Sequence, residues 1–261
     1  MKRREFFTAG SVGLAALSAA TVFGADEPAK QEFIEVRKYI VKDADKRVKL
    51  VEVLDKALIP ALNRQGIKPV GVLVPIARDA KYARNVFVVI PHQTAESFVA
   101  ANAKLVADTE YRKDAAPIFE TTSKDPVYMD CETFFLYGFP TMPTVELSEL
   151  GPERVFELRH YRSFNIERNA AKIKMFDQGG EIPIFRETGL NPIFFGNVIA
   201  GNRMPALLYM IGCPSLDKHA EAWGKFGAHP KWREIRALPE YADTATEIDN
   251  VILIPSSGSQ I

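Results

Sequence analysis

Ile59-Pro60-Ala61-Leu62-Asn63-Arg64-Gln65-Gly66-Ile67-Lys68-Pro69 returns 123 positions later as Ile182-Pro183-Ile184-Phe185-Arg186-Glu187-Thr188-Gly189-Leu190-Asn191-Pro192. Upstream, Glu35, Arg37 and Tyr39 recur as Glu157, Arg159 and Tyr161 at an offset of 122. Downstream, Tyr111-Arg112 recurs as Trp232-Arg233 at an offset of 121. Offsets that drift by one residue between elements describe a duplicated unit with small changes in its loops. Two copies are expected, over residues 30–140 and 153–261, joined by the proline-rich stretch Pro140 to Pro152.

Each copy carries the same order of elements. Phe33 to Ile40 and Val155 to Arg162 alternate apolar and polar side chains as strands do. Val48, Val51, Leu54, Leu58 and Leu62 recur at helical spacing, as do Ile173, Phe176, Gly180 and Ile184. Pro60 and Pro183 are expected to kink these helices, and Gly66 and Gly189 to stop them in the left-handed conformation. Two strands follow in each copy, Val70 to Ile76 with Asn85 to Ile90, and Ile193 to Ala200 with Ala206 to Gly212. A second helix starts at Thr94 or Ser215. A last strand lies near Thr133 to Phe139 and near Ile248 to Ile254. The order strand, helix, strand, strand, helix, strand is the ferredoxin-like plan. Such a sheet leaves one face bare, and a bare face must be buried. The expected architecture is α+β, with tandem ferredoxin-like repeats packed as an intramolecular α/β barrel. The polar tail Ser256 to Gln260 is expected to fray.

Residues 1–25 read as a targeting segment: Lys2-Arg3-Arg4-Glu5-Phe6-Phe7, then an uncharged run from Thr8 to Ala25. The Arg-Arg-x-Phe pattern resembles a twin-arginine export signal, and implies a periplasmic or other extracytoplasmic location with membrane contact only during export. Cleavage is expected near Gly24 or Ala25, or after Ala20. Of the 33 basic and 33 acidic side chains, this segment holds three and one, so 30 and 32 remain. That balance argues against a nucleic-acid partner, which calls for a basic face. Cys131 and Cys213 occupy non-equivalent positions in the repeat and are expected as two buried thiols; a bridge between them is the alternative.

Within the second copy, Phe156 to Arg162, Ala171 to Phe176, Gly189 to Phe195, Arg203-Met204-Pro205 and Leu238 to Thr244 resemble the NIPSNAP family. The resemblance covers residues 153–261 well and the first copy loosely. It implies a dimeric α/β-barrel type of fold and no particular mechanism, since the wider superfamily includes cofactor-free mono-oxygenases, haem-handling proteins and binding modules.

Two polar ladders are the first candidate site. With the apolar faces of the first strands turned to the helices, Glu35, Arg37, Tyr39, Glu157, Arg159 and Tyr161 would face the barrel interior. Guanidinium forks there suit a polar or anionic ligand; the competing reading is mutual neutralisation that holds the sheets in register. Arg203, in the loop Asn202 to Pro205, is a second candidate. The aromatic cluster of Trp223, Phe226, His229, Pro230 and Trp232 is a third, suited to an apolar pocket, with His229 as haem ligand or general base. His160 is expected on the helix-facing side of its strand, and His92 and His219 exposed at helix starts. No cofactor is expected beyond haem as a remote option, no metal site has ligand spacing, and no Gly-x-Ser-x-Gly nucleophile occurs. The expected function is binding of a small, partly apolar molecule in the barrel. The alternatives are a mono-oxygenase-like or isomerase-like enzyme, in which His229 or Tyr161 moves a proton, and a structural protein without a ligand.

Overall fold

The computed structural model describes residues 30–261, so the expected signal segment lies outside the described residues. The first repeat runs β1 (Phe33–Ile40), α1 (Ala44–Val53), a π-helical turn (Leu54–Leu58), α2 (Ile59–Arg64), β2 (Gly71–Pro75), β3 (Asn85–His92), α3 (Ala95–Ala107), α4 (Thr109–Asp114), α5 (Ala116–Phe119) and β4 (Asp130–Gly138). The second runs β5 (Val155–Arg162), α6 (Ile166–Asp177), α7 (Glu181–Thr188), β6 (Asn191–Ala200), β7 (Ala206–Cys213), α8 (Leu216–Ala228), α9 (Pro230–Arg236) and β8 (Glu247–Pro255). Asp43, Thr94, Asn165 and Ser215 each accept a hydrogen bond from the backbone N–H three residues on, and so start α1, α3, α6 and α8.

Strand order is β1-β3-β2-β8-β5-β7-β6-β4, closed on itself and antiparallel in every pair. Each repeat contributes a four-stranded ferredoxin-like sheet, β4-β1-β3-β2 or β8-β5-β7-β6. The sheets join edge to edge, Val74 opposite Ile254 and Leu136 opposite Val198. Closure leaves neither sheet an unpaired edge. The expected intramolecular barrel is therefore formed.

The bare faces meet inside it. Ile34, Val36, Phe87, Phe134, Phe156, Leu158, Phe194, Leu208, Met210 and Leu253 form one core cluster drawn from both repeats. Leu150 of the linker and the C-terminal Ile261 belong to the same cluster and close one end. Glycines make room for them: a Cβ on Gly212 would sit 2.5 Å from Leu150 Cδ1, and one on Gly71 2.8 Å from Ile261 Cδ1. The tail is thus tied down and does not fray. Ser256 and Gln260 N–H groups donate to Val72 and Val70 carbonyls, and Asp55 accepts from Ser256 and Gly258.

Gly66 and Gly189 take left-handed φ of 80° and 90°, as expected of C-terminal stops. The helices before them differ. The first repeat continues through the π-helical turn into α2, with Pro60 just beyond it. The second breaks between α6 and α7 at Gly179-Gly180, so Pro183 lies in the first turn of a new helix and kinks nothing. A Cβ on Gly179 would lie 2.5 Å from Met175 O, and Gly180 has φ 86°, so this break depends on glycine. Across it the offset between the repeats grows from 122 to 123. No helix among the described residues is long and apolar enough to cross a membrane.

Candidate functional site

The alternation of β1 and β5 runs opposite to the expected sense. Ile34, Val36, Phe156 and Leu158 face the barrel, so Glu35, Arg37 and Tyr39, like Glu157, Arg159 and Tyr161, lie beneath the helices of their own repeat. Tyr39 packs with α1, α2 and α3, and Tyr161 with α6, α7 and α8. The physical reason is that the interior is packed with apolar side chains, whereas Asn102, His219 and Trp223 from the helices, and the ladder itself, supply hydrogen-bond partners. The two ladders therefore do not share one cavity. His160 correspondingly faces the barrel, its ring 5.2 Å from that of Phe134, with Nε2 buried and unpartnered. Burial, reinforced by the charges of Arg203 and Lys38, pushes its pKa down to about 4. The barrel holds packed apolar side chains and, at the end bearing His160, a recess of about 70 Å³ rimmed by Lys38, Glu132, Arg203 and Asp249. That filling leaves no room for the ligand expected inside.

The first ladder is sealed. Arg37 donates through Nε and Nη2 to both oxygens of Glu35, and through Nη2 to Asn102 Oδ1 of α3. His92 is fully buried, not exposed, with Nε2 3.2 Å from Glu35 Oε2. Tyr128 stacks edge-on against Tyr39 with ring centroids 5.0 Å apart.

The second ladder opens onto a cleft of about 510 Å³ between the sheet and the helices. Arg159, Tyr161, Lys172, Glu181, Trp223 and Trp232 line it, with Tyr241, Asp243, Thr244 and Ala245. Glu157 anchors the floor. Its Oε1 accepts from Arg159 Nη1 and Asn250 Nδ2, and its Oε2 accepts from Trp223 Nε1 at 2.7 Å and lies 2.8 Å from His219 Nε2. Burial opposes ionisation of Glu157, but His219, Arg159 and Trp223 outweigh it and hold the carboxyl below its ordinary range. His219 is accordingly buried, against expectation. Arg159 lies over the Trp223 ring at 4.8 Å and donates to Tyr161 Oη, which in turn lies 3.2 Å from Tyr209 Oη. The Arg159 side chain remains 17% exposed against 8% for Arg37.

Lys172 and Glu181 were not legible as site residues from their own surroundings in the chain. Lys172 projects from α6 with Nζ 4.6 Å from the Phe176 ring centroid and 3.5 Å from Glu181 Oε2. Glu181 is the first residue of α7, aimed inward by the glycine break. Burial raises its pKa to about 7 despite Lys172 beside it, and burial lowers that of Lys172. Aligning the repeats supplies the signal that was missed. The N-caps Asp43 and Asn165 put Lys172 opposite Leu50, the prolines 60 and 183 put Glu181 opposite Leu58, and strand register puts Tyr209 opposite Val88.

The other candidates lie elsewhere. Arg203, at φ 58°, pairs with Glu247 and Asp249 at the barrel recess. His229 joins α8 to α9, with Nε2 3.2 Å from Glu187 Oε2, and does not line the cleft. Trp223, Phe226 and Trp232 do line it, and they also pack in the helix-side core. Both cysteines are free, Cys213 buried and Cys131 partly so. Among the described residues no group of three or more His, Cys, Asp or Glu side chains stands together as a metal site.

Residues 156–260 match the NIPSNAP family model. No curated protein matches the chain. Among solved structures, a proposed monooxygenase from Lactobacillus acidophilus NCFM shares 11% identity at a TM-score of 0.56, covering 87% of this chain and 94% of that one. A second, from Fusobacterium nucleatum subsp. nucleatum ATCC 25586, shares 10% at 0.57, covering 87% and 93%. These likenesses show the fold: the whole tandem barrel recurs as one chain. A NIPSNAP family protein from Agrobacterium tumefaciens str. C58 shares 25% identity over 41% of this chain and 98% of its own, at a TM-score of 0.37. The family model covers residues 156–260, and the first repeat lies outside that range.

Proposed function

We propose that the second repeat binds a small, partly apolar anion in the cleft between its sheet and helices. The observation that carries this reading is the divergence of the two copies. One ladder is closed by Asn102 and Tyr128. The other leaves a guanidinium and an ammonium facing an open cavity with indole and phenol walls, together with the carboxyls of Glu181, which pairs with the ammonium, and Asp243. Arg159 presents a fork suited to a carboxylate, Trp223 and Trp232 give flat apolar walls, and a cleft of about 510 Å³ is of the size small-molecule sites take.

The chain's two tryptophans both line this cleft, so fluorescence excited selectively from tryptophan reports on it. Phenylpyruvate, an aromatic monoanion, should quench that emission saturably. Arg159→Ala should weaken the quenching about tenfold or more, as loss of a charge-assisted hydrogen bond of about 1.5–3 kcal/mol requires. Arg203→Ala, at the barrel recess, should leave it unchanged. Equal quenching in wild type and Arg159→Ala would count against the site. Export through Arg3-Arg4 is proposed alongside, from the sequence of residues 1–25. Fusing that segment to a folded reporter should deliver it outside the cytoplasm, and Arg3→Lys with Arg4→Lys should keep it inside; delivery by both would refute a twin-arginine route.

A further inference from the structure

Lys172 and Glu181 stand where the sister repeat has two core leucines. Leu50 and Leu58 are 0% and 1% exposed, and the charged pair that replaces them is still only 6% and 2% exposed. Exchanging two packed leucines for a buried ion pair ordinarily loses stability, and this pair is poorly compensated. The ammonium donates to Met175 Sδ at 3.2 Å and stands 3.5 Å from Glu181 Oε2, which is buried with no hydrogen-bond partner. The carboxyl of Glu181, at the wall of an open cleft, is thus held by one long ion pair and no shorter hydrogen bond to Oε2 among the described residues. Around it stand Lys172 from α6, Arg159 and Tyr161 from β5 and Tyr209 from β7, with Tyr241 and Asp243 lining the same cleft. Burial keeps the three tyrosines uncharged near neutrality, and Lys172, at 3.5 Å, is the charged group in direct contact with the carboxyl.

Resting on the anion-binding reading, we propose that Glu181 and Lys172 are a proton-transfer pair, and that the cleft interconverts the keto and enol forms of an anionic, conjugated carbonyl compound. Arg159 holds the substrate carboxylate. Glu181 takes a proton from the carbon next to the carbonyl; the C–H bond breaks and its electron pair becomes the new C=C bond. The carbonyl π pair moves to oxygen, which takes a proton from the Lys172 ammonium. One C–H bond is lost and one O–H bond gained, leaving a neutral acid and a neutral amine. The proton then crosses from Glu181 to Lys172, over the 3.5 Å that separates them, and the pair is reset. No oxidant, reductant or metal enters the balance. A carboxyl raised to about 7 beside an amine lowered from its usual value has both groups tuned toward working pH.

Phenylpyruvate in D2O tests this, because each enolisation exchanges a methylene proton for deuterium and the methylene NMR signal fades. Wild-type protein should accelerate the fading over buffer alone. Glu181→Gln should slow it about 10²- to 10⁴-fold, the range for losing a general base, while still showing saturable tryptophan quenching. Lys172→Leu with Glu181→Leu, which restores the sister repeat's arrangement, keeps the test open if the single variant misfolds; it too should lose the acceleration. Quenching by wild type without acceleration would overturn proton transfer and leave binding standing. Exchange by Glu181→Gln at the wild-type rate would overturn it as well. Neither quenching nor exchange would overturn both.

Discussion

Replacing Lys172 and Glu181 together by leucine should raise stability above pH 7 and remove a pH dependence that the native chain carries. In the fold the Glu181 carboxyl is raised from 4.5 to about 7, because burial disfavours its charge. At about 1.4 kcal/mol for each pH unit of that rise, ionising it in the fold costs about 3 kcal/mol more than in the unfolded chain. The sign follows from proton binding: the folded protein holds this proton more tightly, so stability is fully present below pH 4.5 and drains away as pH climbs through about 7. Two other groups act the opposite way. His160, lowered from 6.5 to about 4, makes stability rise with pH between those values. Lys172, lowered from 10.5, does so at alkaline pH. His160 is common to both proteins, so the difference between variant and wild type isolates the pair. That difference should grow by about 3 kcal/mol between pH 5 and pH 8, on top of a pH-independent offset from Lys172 burial and leucine packing. Urea unfolding followed by far-ultraviolet circular dichroism, repeated across this pH range, measures it. A difference that stays flat with pH would refute the claim that Glu181 is held in a site hostile to its charge. A variant less stable at every pH would show that leucines cannot pack where the sister repeat packs them.

Arg37→Ala should destabilise the protein by about 3–5 kcal/mol, since it strips a buried carboxylate of its bidentate partner; thermal melts that move less than those of Arg159→Ala would contradict a structural role for the first ladder. His160→Phe should stabilise by about 1–3 kcal/mol by removing an unsatisfied buried nitrogen beside Phe134. The gain should grow as pH falls from 6.5 to 4 and be largest below pH 4, because the unfolded chain takes up a proton that the buried imidazole resists. Acid unfolding curves that coincide for variant and wild type would show that the ring is solvated.

The duplication, the element order and the closed barrel could be read from residues alone. Gly66 and Gly189, Thr94 and Ser215, and the alternation of β1 and β5 each state a local preference that nothing in the fold overrides. Alternation declares that a strand has two faces, but not which face meets helices and which meets the other half. Both faces of β1 and β5 are buried here, and Glu35 with Arg37, like Glu157 with Arg159, is self-neutralising two residues apart and tolerates burial wherever donors exist. Only the closure of β2 on β8 and β4 on β6 turns Ile34 and Phe156 inward and sends the ladders beneath the helices. The same limit hid Lys172 and Glu181. Nine positions apart on two helices, they look like surface charges of amphipathic segments. The Gly179-Gly180 break, a tertiary event, rotates them to face each other in a site that the first repeat fills with leucine.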